Sequence, residues 1–190
     1  MATIWIGNDY LIKNSIIDSN VEFSKIEPTI KLVQDKYLLP VLGTNLYNAI
    51  STAIEAYIDS STAIPAKYTL LLDEWIKPLL VQFIMCEASP TFKYRYANKG
   101  IMVKSSDNSQ PISVSELEFA MDGWKKNGEM YATRLINYLQ YNPTNYPELL
   151  NNTAGNIFPR FEGYDIDIYL GSSNPRELAN GAIDVKRYYE

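Results

Sequence analysis

Residues 34–50, QDKYLLPVLGTNLYNAI, read as one apolar helix until Pro40 and Gly43 interrupt it. The two poorest helix formers stand three positions apart in an otherwise helix-compatible stretch. Leu39 precedes a proline and is biased away from helical geometry, while Gly43 can take the positive φ of a helix terminator. Thr44 then makes a good cap, and Leu46, Ile50, Ala53, Ile54 and Tyr57 carry a new apolar stripe. The stretch predicts two helices meeting at a fixed corner, or one helix sharply kinked.

Upstream of the corner, Ser24-Lys25-Ile26-Glu27 has the form of a capping box, and Ile26, Ile30, Val33 and Tyr37 recur on one helix face. They predict a helix from Lys25 to Leu39. Residues 8–17, NDYLIKNSII, predict a short first helix capped by Asn8 or Asp9. Downstream, IDSSTAIPAK (58–67) is a loop, with Pro65 suited to the first turn of a helix from Ala66 to Glu87. That helix is apolar on more than one face, which predicts a central position, and Pro78 should kink it.

Phe92-Lys93-Tyr94-Arg95-Tyr96 alternates aromatic and cationic residues, and Asn98-Lys99-Gly100 is turn chemistry. Ile101 to Lys104 can return as a second strand, so a hairpin is expected over about 92–104, followed by the loop SSDNSQP. Ser113-Val114-Ser115-Glu116 is another capping signature. Beyond it Leu117, Met121, Trp124, Gly128, Tyr131, Leu135 and Tyr138 follow at steps of four and three. They predict a helix from Val114 to Gln140, and Gly128 on that stripe implies close approach by a neighbouring helix. After Pro147 the chain is rich in Asn, Gly, Ser and Pro yet studded with aromatics, and only Tyr164 to Leu170 looks like a strand. Disordered tails are depleted in aromatics, so this reads as an arm that folds onto something else.

The expected architecture is mainly α: an antiparallel helical bundle with kinked helices, an inserted β-hairpin and an extended C-terminal arm. Residues 1–150 form the helical domain and 151–190 the arm.

Composition narrows the function. With a net charge of −5, clustered basic charge for nonspecific nucleic-acid binding is lacking. The one cysteine, Cys86, excludes an internal disulfide framework and favours a reducing compartment. The run from Leu70 to Ala88 is broken by charges and a proline, so a soluble chain is expected. Histidine is absent, which removes the usual base for a serine or cysteine nucleophile. Cys86 therefore reads as a core residue. Asp165 and Asp167 would share one strand face and could bind a hard cation, but an ordinary amphipathic strand is the favoured reading. No phosphate loop, dinucleotide fingerprint or zinc spacing occurs. No catalytic, metal or cofactor residues are expected, and no enzyme. Fifteen tyrosines fit a surface that grips other proteins, although composition alone can also produce them. The hairpin aromatics Phe92, Tyr94 and Tyr96 suit a docking surface, a simple packed face or, least well for an acidic chain, a base-stacking platform.

The order of these pieces resembles the head–tail connector (adaptor) proteins of tailed bacteriophages, most closely those of Bacteroidetes and crAss-like phages. The likeness covers about residues 20–150 and lies in "LLPVLGTNLYNAI", "LLDEWIKPLLVQFIM", the "KGI" hairpin turn and "NYPEL". These are packing patterns rather than catalytic motifs, and residues beyond Leu150 have no counterpart in it.

The resemblance implies a virion protein, made in the host cytoplasm, that assembles as a homo-oligomeric ring of about twelve subunits at the neck. Its implied partners are the portal protein and the next neck or tail ring, with DNA passing through the lumen without sequence-specific binding. No membrane is involved. Phe92, Tyr94, Tyr96, Phe158, Phe161, Tyr164 and Tyr169 are the expected subunit or portal contacts. The competing readings are another collar or tail-completion ring and, last, a small carboxylate- or metal-dependent enzyme.

Overall fold

The computed structural model describes residues 3–97, 100–103, 112–151 and 155–163. The chain is mainly helical. In order it forms α1 (Asn8–Asn14), α2 (Phe23–Val33), α3 (Leu39–Ser60), α4 (Ala66–Leu71), α5 (Lys77–Lys93), strands β1 (Tyr94–Ala97) and β2 (Gly100–Val103), and α6 (Val114–Tyr141). A short 3-10 turn, Pro147–Leu149, follows.

The corner lies where Gly43 stands, but the path into it differs from expectation. Leu39 is helical despite preceding Pro40, with φ −56° and ψ −43°. The chain reaches it through a π turn, Gln34–Leu38, in which the Leu39 N–H bonds back to the Gln34 carbonyl. Widening the helix by one residue per turn relieves the contact a proline ring makes with the turn before it. The break comes at Gly43 itself, at φ 72° and ψ 162°. The same arrangement recurs before Pro78, where the π turn Leu72–Ile76 separates α4 from α5. Each π turn carries an aromatic residue that stacks on a neighbouring helix. Tyr37 lies on Phe83 with ring centroids 3.8 Å apart, and Trp75 lies on Tyr138 at 4.5 Å.

α5 is central, as its two-faced apolar pattern predicts, with Leu79, Leu80, Phe83, Ile84 and Ala88 buried. α6 packs antiparallel along it, since Tyr138 meets Trp75 at one end and Gly128 meets Phe83 in the middle. A β-carbon on Gly128 would stand 2.8 Å from the Phe83 ring, so the glycine is what lets the helices approach. The start of α6 is the expected reciprocal box. The Glu116 N–H donates to Ser113 Oγ at 3.2 Å, and the Ser113 N–H donates to Glu116 Oε2 at 3.0 Å.

Two other caps differ from expectation. α2 begins at Phe23 behind Glu22, with no side-chain cap, so Ser24 and Glu27 form no box. α1 starts behind Gly7 rather than Asn8 or Asp9. In both cases an extended residue turns the chain into the helix a little earlier than the polar signal suggests. The first segment is held instead by Gln34, fully buried in the π turn. Its Nε2 donates to the Thr3 carbonyl at 3.0 Å, and its Oε1 accepts from the Trp5 N–H at 3.2 Å. Trp5 in turn stacks on Tyr47 at 4.7 Å.

β1 and β2 pair antiparallel in the register Tyr94↔Val103 to Ala97↔Gly100. Helix α5 runs through Lys93, so Phe92 and Lys93 belong to its last turn and not to a strand. The turn pair Asn98-Lys99, the loop after Val103, and Tyr164 to Leu170 lie outside the described residues.

Candidate functional site

Two surfaces stand out, one at the Gly43 corner and one at the root of the hairpin. At the corner, the broken helix leaves backbone groups of Pro40 and Thr44 without helical partners. Residues 156–160 supply them. The Thr44 N–H donates to the Ile157 carbonyl at 3.0 Å, and the Arg160 N–H donates to the Pro40 carbonyl at 2.9 Å. The Ile157 N–H donates to Thr44 Oγ1 at 2.8 Å, while Asn156 Nδ2 donates to Asn45 Oδ1 at 2.8 Å. Pro159 is buried against Gly43. The described start of the arm therefore packs on its own chain. Gln140 Nε2 donates to the Phe161 carbonyl, and Gly163 presses against Thr133 of α6.

The NYPEL stretch is a second internal clasp. Tyr146 is buried, and its hydroxyl donates to the Lys67 carbonyl at 3.1 Å at the start of α4. Glu148 Oε1 accepts from Lys67 Nζ at 2.9 Å and from Tyr68 Oη at 2.6 Å. Burial opposes ionisation of Glu148, but these bonds outweigh it and hold the carboxyl below its usual range. Glu87 repeats the pattern between the first π turn and α5, accepting from Lys36 Nζ at 2.7 Å and Tyr37 Oη at 2.5 Å. Its carboxyl is likewise lowered by Lys36 and Tyr37 against the effect of burial. Burial and the Glu87 bond push the Tyr37 hydroxyl up to about 12.

Neither Glu148 nor Glu87 lines the grooves formed by the described residues. Burial pushes the Cys86 thiol up, away from nucleophilic readiness. Among the described residues no group of three or more acidic or sulfur ligands converges on a point. Asp165 and Asp167 lie outside them. No described helix is long and apolar enough to cross a membrane.

The hairpin root is different. There the chain after α1, the end of α5 and the start of α6 enclose a groove of about 500 Å³. Its floor is Met85, Phe92, Leu117 and Trp124, and its rim includes Ile16 and Ile112. Ile16 is 78% exposed and Ile112 46%, so the apolar surface faces outward. Asp18 and Lys93 are the charged residues at the rim. The hairpin itself rises beside it.

The expected contact residues divide between these places. Phe92 lines the groove and packs partly on the core. Tyr94 opens β1, with Lys93 Nζ 5.7 Å from its ring centroid. Tyr96 pairs with Ile101 in the ladder. Phe158 is exposed at the corner and Phe161 is half-buried beside α6. Tyr164 and Tyr169 lie outside the described residues. No sequence signal joins Ile16, in the short run Ile16-Ile17, to the lone Ile112, and only the fold brings them together.

The profile of a family of unknown function, DUF6712, matches residues 38–159. The chain belongs to that family. The DUF6712 stretch opens just before the Pro40–Gly43 corner and ends on Pro159, the residue that fills it. It also contains the NYPEL clasp and those groove residues that come from α5, Ile112 and α6, but not Ile16 to Val21. No curated protein and no solved structure matches the chain.

Proposed function

We propose that this DUF6712 chain is a structural virion protein, a subunit of a ring below the portal that joins capsid to tail and continues the DNA channel. The observation that carries the reading is the outward-facing apolar groove beside the hairpin. An exposed apolar surface of this kind, with Asp18 and Lys93 at its edge, marks protein–protein contact. The half-buried carboxylates of Glu148 and Glu87 are engaged in clasps between elements of the fold, which suits a rigid building block better than a catalyst. The resemblance over residues 20–150 supplies the neck location, the portal and next-ring partners, and a ring of about twelve copies. The acidic balance suits a lumen that DNA passes without adhering.

Quantitative mass spectrometry on purified virions tests this directly, by counting the chain against the portal protein. A ratio near unity is expected. Absence from particles that come from cells rich in the chain would remove the neck reading.

A further inference from the structure

The groove at the hairpin root is open among the described residues, while the chain beyond Gly163 still has Tyr164-Asp165-Ile166-Asp167-Ile168-Tyr169-Leu170 to place. We propose that the groove receives this segment, residues 164–170, from a second copy of the chain. The inference rests on the ring-subunit reading and names the contact that would join neighbours.

Three observations carry it. The first is chemical pattern. In extended form, Ile166, Ile168 and Leu170 share one side of the segment, and Asp165 and Asp167 share the other. The groove offers an apolar floor of Phe92, Leu117 and Trp124 for the first side.

The second is charge. Residues 92–104 carry Lys93, Arg95, Lys99 and Lys104 with no acidic residue, whereas residues 164–170 carry two aspartates and no cation. By sequence the hairpin is cationic and the segment acidic, with Lys93 at the groove rim and Asp18 the acidic residue among its lining, and β1–β2 is a two-stranded ribbon whose edges can take another strand.

The third observation decides between a segment's own groove and a neighbour's. Phe161 lies by Gln140 and Gly163 by Thr133, so the arm travels along one side of α6 toward its N-terminal end. At about 100° per residue, Trp124 and Leu117 lie on roughly the opposite side of the helix from Thr133. The arm's own groove is behind α6, which favours a groove on a second copy as its seat.

Cross-linking tests the contact with full-length protein. Two variants in a Cys86→Ala background carry one cysteine each, Ile16→Cys at the groove rim and Ile168→Cys in the arm. Treated with a short bis-maleimide at high protein concentration, the mixture is expected to give a covalent dimer well above either variant alone. Adding Ile166→Asp to the arm variant should cut that product about tenfold, as expected if it loses seating energy of about 1.4 kcal/mol.

No mixture-specific dimer overturns the proposal. So does a chain carrying both cysteines that closes only internally at monomer mass, because the occupant is then its own arm. Undiminished product with Ile166→Asp overturns it too, since nearness without seating would be all that remained. Cross-linking by a chain absent from virions would keep the contact and discard the neck. A chain present at portal stoichiometry that does not cross-link would do the reverse.

Discussion

Gly43 and Pro159 meet so closely that a β-carbon on Gly43 would lie 2.8 Å from the proline Cδ and 2.9 Å from its nitrogen. Gly43 also has φ 72°, where side chains are strained. Gly43→Ala therefore meets two penalties. It should cost about 2–3 kcal/mol in chemical denaturation of the full chain, and only about 1 kcal/mol in a chain ending at Asn151. Equal losses in both chains would mean that the arm does not press on the corner.

Gly128 faces the edge of the Phe83 ring at a distance no real β-carbon tolerates. On helix propensity alone Gly128→Ala would stabilise by roughly 1 kcal/mol. Overpacking should reverse the sign and give a net loss of about 1–2 kcal/mol, because Phe83 is itself stacked on Tyr37. Adding Phe83→Leu should make the Gly128→Ala step neutral or stabilising in a double-mutant cycle read by thermal melting.

Glu148 and Glu87 are both held below their usual ionisation range in the folded chain. A depressed carboxyl contributes stability that is present above its unfolded value and is lost as pH falls through the folded one. Stability should thus decline on the acid side, below about pH 4.5, and Glu148→Gln with Glu87→Gln should flatten that decline. At the other end, Tyr37 is raised to about 12. Its unfolded form ionises first, so stability should fall as pH rises from about 10 toward 12, and Tyr37→Phe should reduce the slope. Urea titrations across pH read both limbs.

Gln34 is fully buried between Thr3, Trp5 and Tyr47. Gln34→Leu keeps much of the volume but leaves the Trp5 N–H and the Thr3 carbonyl without their partner. The loss should be about 2–3 kcal/mol. A red shift in tryptophan emission should accompany it as Trp5 leaves Tyr47, and an unchanged spectrum would count against the clasp.

Some local chemistry was legible, although the Ser24–Glu27 box and the Asn8 or Asp9 cap, equally local, do not form; distant chemistry was not. The Ser113–Glu116 box and the stripe from Leu117 to Tyr138 were readable because each signal lies within a turn or two of its partner. Gly43 was readable as a terminator, yet its counterpart Pro159 was not, since nothing near either residue names the other. The π turns before Pro40 and Pro78 were hidden for another reason. Propensity rules treat proline as a stop or a kink and do not say that one extra residue per turn can absorb it. The groove was illegible because Ile16, Phe92, Ile112 and Trp124 come from three separate parts of the chain.

Ile157 and Thr44 are 113 positions apart, and the bonds between their segments close a loop of that length. Loop closure on this scale carries an entropic cost that is lowered only once the intervening helices have drawn the ends together. The corner must then wait, vacant, through the collapse of α5 on α6, and during synthesis until almost the whole described chain has left the ribosome. Its amides at Thr44 and Arg160 should be the latest to gain protection from hydrogen exchange and the earliest to lose it. The seam that completes the molecule is the last to set.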